Sequence, residues 1–147
     1  LFIGMYASTK ALSHVSQAES LKSVCGILNE LGEKPPRALN DIHIDIINMN
    51  SNLQSMEEAI LGLGETKEKR IVGLMRLYTL LGRNALTVKP ALFGSVSLRM
   101  VEITLEFGLC SNAPLAFTYY GQTLAMLGQY DLAIRLGKCC NCIVCQF

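Results

Sequence analysis

The stretch PLAFTYYGQTLAMLGQYDLAIRLGK, Pro114 to Lys138, decides the fold. Gly121 is the small residue of a first helix, where a second helix comes close; Leu124 and Ala125 extend the same packing face. Gly128 in the turn Gly128-Gln129-Tyr130-Asp131 stops that helix, because glycine enters the left-handed region without a Cβ clash. Tyr130 sits in the turn and Asp131 helps to start the next helix. Ala133 is the small residue at the crossing, and Ile134 packs beside it. The stretch predicts an antiparallel helical hairpin.

The same stop signal recurs outward from this hairpin. A large apolar residue precedes glycine at Leu31-Gly32, Leu63-Gly64, Leu81-Gly82, Phe107-Gly108 and Leu127-Gly128, so a chain of short helices is expected. The apolar stripes agree. Leu21, Val24, Cys25, Leu28 and Leu31 follow three-and-four spacing, as do Ile71, Leu74, Met75, Tyr78 and Leu81. Leu92, Val96, Met100, Ile103 and Phe107 form a third stripe, with Pro90 suited to the first turn of that helix. Ser55 to Glu58 has the form of a capping box.

Strand signals are weak. Ile42 to Ile46 alternates, but no second alternating run exists to pair with it, so 41–50 is read as a helix or an irregular turn. The segment 33–40, with Pro35-Pro36, is the expected joint between repeat units. No single short helix buries its own apolar face; stacked pairs do, which is the physical logic of helical repeats.

The chain has 147 residues, about one domain's worth. Half are apolar or aromatic and 17% are charged, against about 25% charged in an average soluble domain. A sizeable core is therefore available. The low charge also suggests apolar surface covered by neighbouring elements. Thirteen basic and 12 acidic residues leave a net charge of +1, which argues against nucleic acid or anionic lipid as a partner. The one basic cluster, Lys67, Lys69 and Arg70, is interrupted by Glu68 and reads as a solvated face. No run of about 18 apolar residues predicts a membrane span. Residue 1 is Leu rather than Met, so the natural start is expected upstream. Six cysteines, four of them within the last nine residues, are not the spread of a secreted disulfide framework. A reducing intracellular setting, the cytoplasm first, fits them best.

Pro114 to Lys138 resembles a tetratricopeptide repeat, carried by Gly121, Leu124, Gly128, Tyr130, Ala133 and Ile134. The repeat's usual further alanine falls at Cys140, so the match decays after Lys138. Residues 18–138 also resemble the helical region that follows the AAA-type ATPase module in large predicted signalling ATPases, many of which carry a serine/threonine kinase-like domain. The residues that carry this are Cys25 to Glu33 with Pro35-Pro36, Arg99 to Val101, Leu105 to Gly108, Ser111, Ala116, Tyr120, Gly121, Tyr130 and Gly137. That resemblance implies a spacer and interaction scaffold between an ATP-binding module and output domains. The chain itself holds no G-x-x-x-x-G-K-[ST] loop; Gly64-Glu-Thr-Lys is a superficial echo. It holds neither an H-R-D nor a D-F-G set.

The residues that invite chemistry have plainer readings. Cys139, Cys142 and Cys145 give C-x-x-C twice and are the only metal candidates, but the spacers are short and no distant ligand pair completes a tetrahedral site. No metal is expected. Cys25 and Cys110 read as buried, reduced thiols. His14 and His43 are the only histidines; Asp41 and Asp45 lie near His43, but no nucleophile accompanies them. Glu57 and Glu58 read as helix-start electrostatics, and Phe117, Tyr119 and Tyr120 as core.

The sequence therefore predicts an all-α fold of seven or eight helices, with antiparallel pairs stacked as a short tetratricopeptide-like solenoid over residues 1–138 and an atypical Cys-rich tail at 139–147. The expected function is a non-catalytic scaffold or protein-interaction segment of a multidomain signalling ATPase, with no cofactor. Its partner is a protein, a peptide or a neighbouring domain of the same chain. Two alternatives stand beside it: a conformational transmitter within an ATP-dependent protein kinase, and a stand-alone tetratricopeptide-type adaptor. A bulky residue at Gly121 or Ala133 is expected to overpack the crossing.

Overall fold

The computed structural model describes residues 16–145; His14 lies outside them. Among the described residues the fold is all-α, with seven α-helices: α1 (Gln17–Glu30), α2 (His43–Ser51), α3 (Leu53–Gly62), α4 (Lys69–Val88), α5 (Phe93–Phe107), α6 (Ala113–Met126) and α7 (Tyr130–Val144). Short 3-10 turns at Leu39–Ile42 and Pro90–Leu92 lead into α2 and α5. Neighbouring helices pack in antiparallel fashion. The 41–50 stretch is helical, in keeping with the want of a partner strand.

The order of packing is not the order of the chain. Helices α4, α5, α6 and α7 each pack on the next, but α1 skips two helices and packs on α4. The α2–α3 segment lies across the row instead, its leading 3-10 turn on α5 and α3 on α7. One contiguous apolar core results. It runs from Leu21, Val24 and Leu28 of α1 through Leu77 and Leu81 to Tyr120, Leu124 and Leu136. Buried polar pairs fix the register. Asn84 Nδ2 donates to Ser20 Oγ at 2.7 Å between α4 and α1, and the Ser97 and Thr123 hydroxyls meet at 2.8 Å between α5 and α6.

Three of the five expected glycine stops are left-handed: Gly32, Gly108 and Gly128. After α1 the N–H of Glu33 returns to the Leu28 carbonyl at 3.0 Å and that of Gly32 to Asn29 at 3.1 Å. After α6 the N–H of Gln129 returns to Leu124 at 2.8 Å and that of Gly128 to Ala125 at 3.0 Å. Both are Schellman closures. Gly64 is not a left-handed stop. It lies in the extended stretch after α3, where its carbonyl accepts from the Leu109 N–H at 2.9 Å while Thr66 donates to the Leu109 carbonyl at 2.7 Å.

Gly82 is not a stop either; α4 runs through it to Val88. The apolar face continues on Ala85 beyond it, and the helix yields only before Pro90, where Lys89 is driven out of the helical region (φ −141°, ψ 74°). Gly82 is a packing residue: a Cβ there would stand 2.5 Å from Cε2 of Tyr119. The expected cap at Ser55 also moves. Ser55 lies inside α3, and the Ser-x-x-Glu cap is at Ser16, whose hydroxyl accepts from the Glu19 N–H at 3.3 Å. Residues 139–144 of the Cys-rich stretch form the last turns of α7, with Cys139 and Ile143 buried.

Candidate interaction surface

The α6–α7 hairpin brings the resembling residues together unevenly. Gly121 sits at the crossing, where a Cβ would lie 3.7 Å from the Ala133 carbonyl, an ordinary contact. The close approach is real but leaves room for a methyl group; the steric bottlenecks are Gly82, Gly94 and Gly108 instead. Leu124 is fully buried, and Gly128 makes the turn at φ 78°. Tyr130 and Ile134, expected in the packing, are 65% and 59% exposed. The reason is rotation. Leu136 holds the inward face of α7, and two residues away is about 200° around a helix.

That exposure creates the main surface feature of the hairpin. A shallow groove of about 550 Å³ runs between the two helices, lined by Gly121, Ala125, Ala133, Ile134, Gly137 and Lys138. Ile134 on its wall is an exposed apolar residue, and Met126 and Tyr130 are further exposed apolar residues of the same two helices. Cys140, at the position where the repeat would carry alanine, reaches the Pro114 carbonyl at 3.2 Å and holds the far end of the hairpin.

A second, more polar cleft of about 680 Å³ lies where the segment after α1 crosses α4 and α5. Its wall is an ion network. Arg99 donates Nε to Glu33 at 2.9 Å and Nη2 at 3.2 Å, and the Tyr78 hydroxyl donates to the same carboxylate at 2.7 Å. Burial pushes the Glu33 carboxyl up, but hydrogen bonds from Arg99 and Tyr78 and the charges of Arg99 and Arg70 outweigh it, holding it below the usual carboxylate range. Burial, then the hydrogen bond and charge of Glu33, push the Tyr78 phenol far up. The network is satisfied within itself and presents no poised acid, base or nucleophile.

The other sequence candidates disperse. His43 is exposed. Asp45 is engaged by Arg37 at 2.6 Å. Cys139 is buried, whereas Cys142 and Cys145 are exposed, and all three are free thiols. Burial first, then the charge of Glu57, raises the Cys139 thiol and disfavours the thiolate that a metal would need. Among the described residues no His, Cys, Asp or Glu cluster is arranged to hold a metal ion. None of their helices is long and apolar enough to cross a membrane. Phe117, Tyr119 and Tyr120 are buried, and Tyr119 packs its ring on Phe93 with centroids 5.0 Å apart.

Sequence reasoning missed the polar contacts that bind α2–α3 to the row. Asn50 donates to Gln129 Oε1 at 2.8 Å and accepts from the Tyr120 hydroxyl at 2.8 Å. Glu57 receives both arms of Arg135. The partners are 70 to 79 residues apart, so no local spacing announces them. Family models, curated proteins and solved structures offer no match to the chain.

Proposed function

We propose that this chain is a non-catalytic helical scaffold that docks an amphipathic helix of a protein partner or neighbouring domain on the outer face of α6–α7. The observation that carries the reading is the groove along Gly121, Ala125, Ala133 and Gly137, with exposed Ile134 on its wall and exposed Met126 and Tyr130 on the same two helices. It continues an interface already present: each of α4, α5 and α6 buries a face against the next helix, and α7 closes the row with its own apolar strip open. Small residues let a further helix approach closely, and Lys138 at the rim favours a carboxylate on it. Row packing of this kind, with the Schellman turn and the Gly121–Ala133 crossing, supports a tetratricopeptide-like array. The resemblance to signalling ATPases makes such a scaffold a spacer between their modules.

A non-catalytic role is supported by the state of the polar groups. Glu33, Arg99 and Tyr78 satisfy one another, and Glu57 is committed to Arg135. The test is a titration of the full chain with an amphipathic peptide of leucine, alanine and glutamate, followed by amide chemical shifts. Micromolar binding with shifts confined to Phe117 to Asn141 supports the reading. Shifts centred elsewhere, or none, refute it.

A further inference from the structure

The α2–α3 segment differs from the rest of the fold in three ways. The first is connectivity: α1 packs on α4 as though the intervening residues were absent. Non-helical segments, 33–38 and 63–68, flank it on either side. The second is local weakness. The helices have only nine and 10 residues, against 14 to 20 in the other five; isolated helices shorter than about 12–15 residues are marginal in water. Helix α2 also leaves Ile44 and Ile47 exposed, at 71% and 49%. These helices therefore depend on being docked.

The third is the form of the docking. Ile42, Ile46 and Ile60 are fully buried. Leu39 and Ile42 enter a notch left by Gly94, where a Cβ would meet Leu39 Cδ1 at 2.8 Å. Near the junction of the two helices Asn50 is held by Tyr120 and Gln129, and within α3 Glu57 is held by Arg135 at 3.0 and 2.8 Å. Laying the apolar face of short helices into a groove is how helix-binding grooves take a ligand. Here the chain supplies that ligand to itself.

We propose that α2–α3 is a releasable strap, the internal occupant of a second helix-docking groove that runs along α5, α6 and α7. An amphipathic helix carrying a carboxylate for Arg135 displaces it. The inference rests on the scaffold reading for its partner class, but it concerns a different face. The strap leaves ahead of global unfolding, because the three isoleucines that hold it also have to order two short helices. Release uncovers the Gly94 notch, the Tyr120 hydroxyl, Gln129 and Arg135 together.

The test uses the full chain, the variants Glu57→Gln and Asn50→Ala, and a fluorescein-labelled peptide of residues 39–63. Hydrogen exchange is expected to run at least about tenfold faster in 43–62 than in α5 and α6, and about threefold faster again in either variant, with α5 and α6 unchanged. The peptide is expected to bind both variants up to about threefold tighter than the parent, because the open, binding-competent fraction rises by that factor. Strap amides that exchange only with α5 and α6 in all three proteins overturn the proposal, and so does equal peptide affinity for parent and variants. The probe is the chain's own segment, so these failures leave docking on the outer α6–α7 face standing. Failure of that face leaves the strap standing.

Discussion

Glu57 of α3 and Arg135 of α7 meet fork to fork, at 3.0 and 2.8 Å, across 78 residues of sequence. The pair is only partly shielded, with side-chain exposures of 23% and 42%. It directs α3 onto α7 more than it stabilises the fold, since ion pairs open to water are weak and screened. Glu57→Gln is therefore expected to lower the melting temperature slightly at low salt. The difference should vanish near about 1 M salt, where the screening length is about 3 Å. Melting curves at two ionic strengths check this, and a gap that survives high salt contradicts it.

Glycines at two places in the helices should respond oppositely. A Cβ at Gly82 would stand 2.5 Å from Tyr119 and 3.4 Å from Val96, whereas one at Gly26 on α1 would meet nothing within 4 Å. Gly82→Val is expected to overpack the core and cost about 1–3 kcal/mol. Gly26→Ala is expected to gain about 0.5–1 kcal/mol from helix propensity alone. Urea denaturation of the two variants gives both signs.

The buried pair Ser20–Asn84 tests the cost of an orphaned group. Both residues are 2% exposed and joined at 2.7 Å. Ser20→Ala strands the Asn84 amide, with an expected loss of about 1–3 kcal/mol. The double variant Ser20→Ala, Asn84→Leu removes both polar groups and should recover part of that loss. A double variant weaker than the sum of the single changes would contradict the pairing.

Acid should act through Glu33. Its carboxyl is held below the ordinary range in the folded chain, so as pH falls the unfolded state takes up this proton first. The contribution of Glu33 is complete above the unfolded value of about 4.3 and is lost as pH drops through the lower folded value. The variant Glu33→Gln lacks this segment of the stability profile. Denaturation midpoints for parent and variant are expected to converge below about pH 4. At the alkaline end Tyr78 and Tyr120 are pushed up, chiefly by burial. Their contribution is complete below about pH 10 and declines above it, as unfolded tyrosines ionise first.

What the sequence discloses follows the range of the interaction. The stripes of α1, α4 and α5 and the turns at Gly32, Gly108 and Gly128 are local signals, and the helices form where those signals lie. Gly82 carries the same local signature as the true stops, yet it is helical, because the apolar face of α4 continues past it to Ala85. Ile134 resembles a packing residue until α7 acquires a direction, which the burial of Leu136 and Ile143 sets. The lie of α2–α3 across the row depends on Asn50, Glu57 and Arg135. Each finds its partner far along the chain, and no spacing rule reaches that far.

The central claim, that the outer face of α6–α7 is a docking surface rather than core, is tested most directly by Ile134→Glu with two readouts. Ile134 is 59% exposed, so a charge there should leave the melting temperature near that of the parent. The same charge should abolish binding of the leucine-rich amphipathic peptide. A variant that melts far lower, or one that binds the peptide as well as the parent does, would contradict the account.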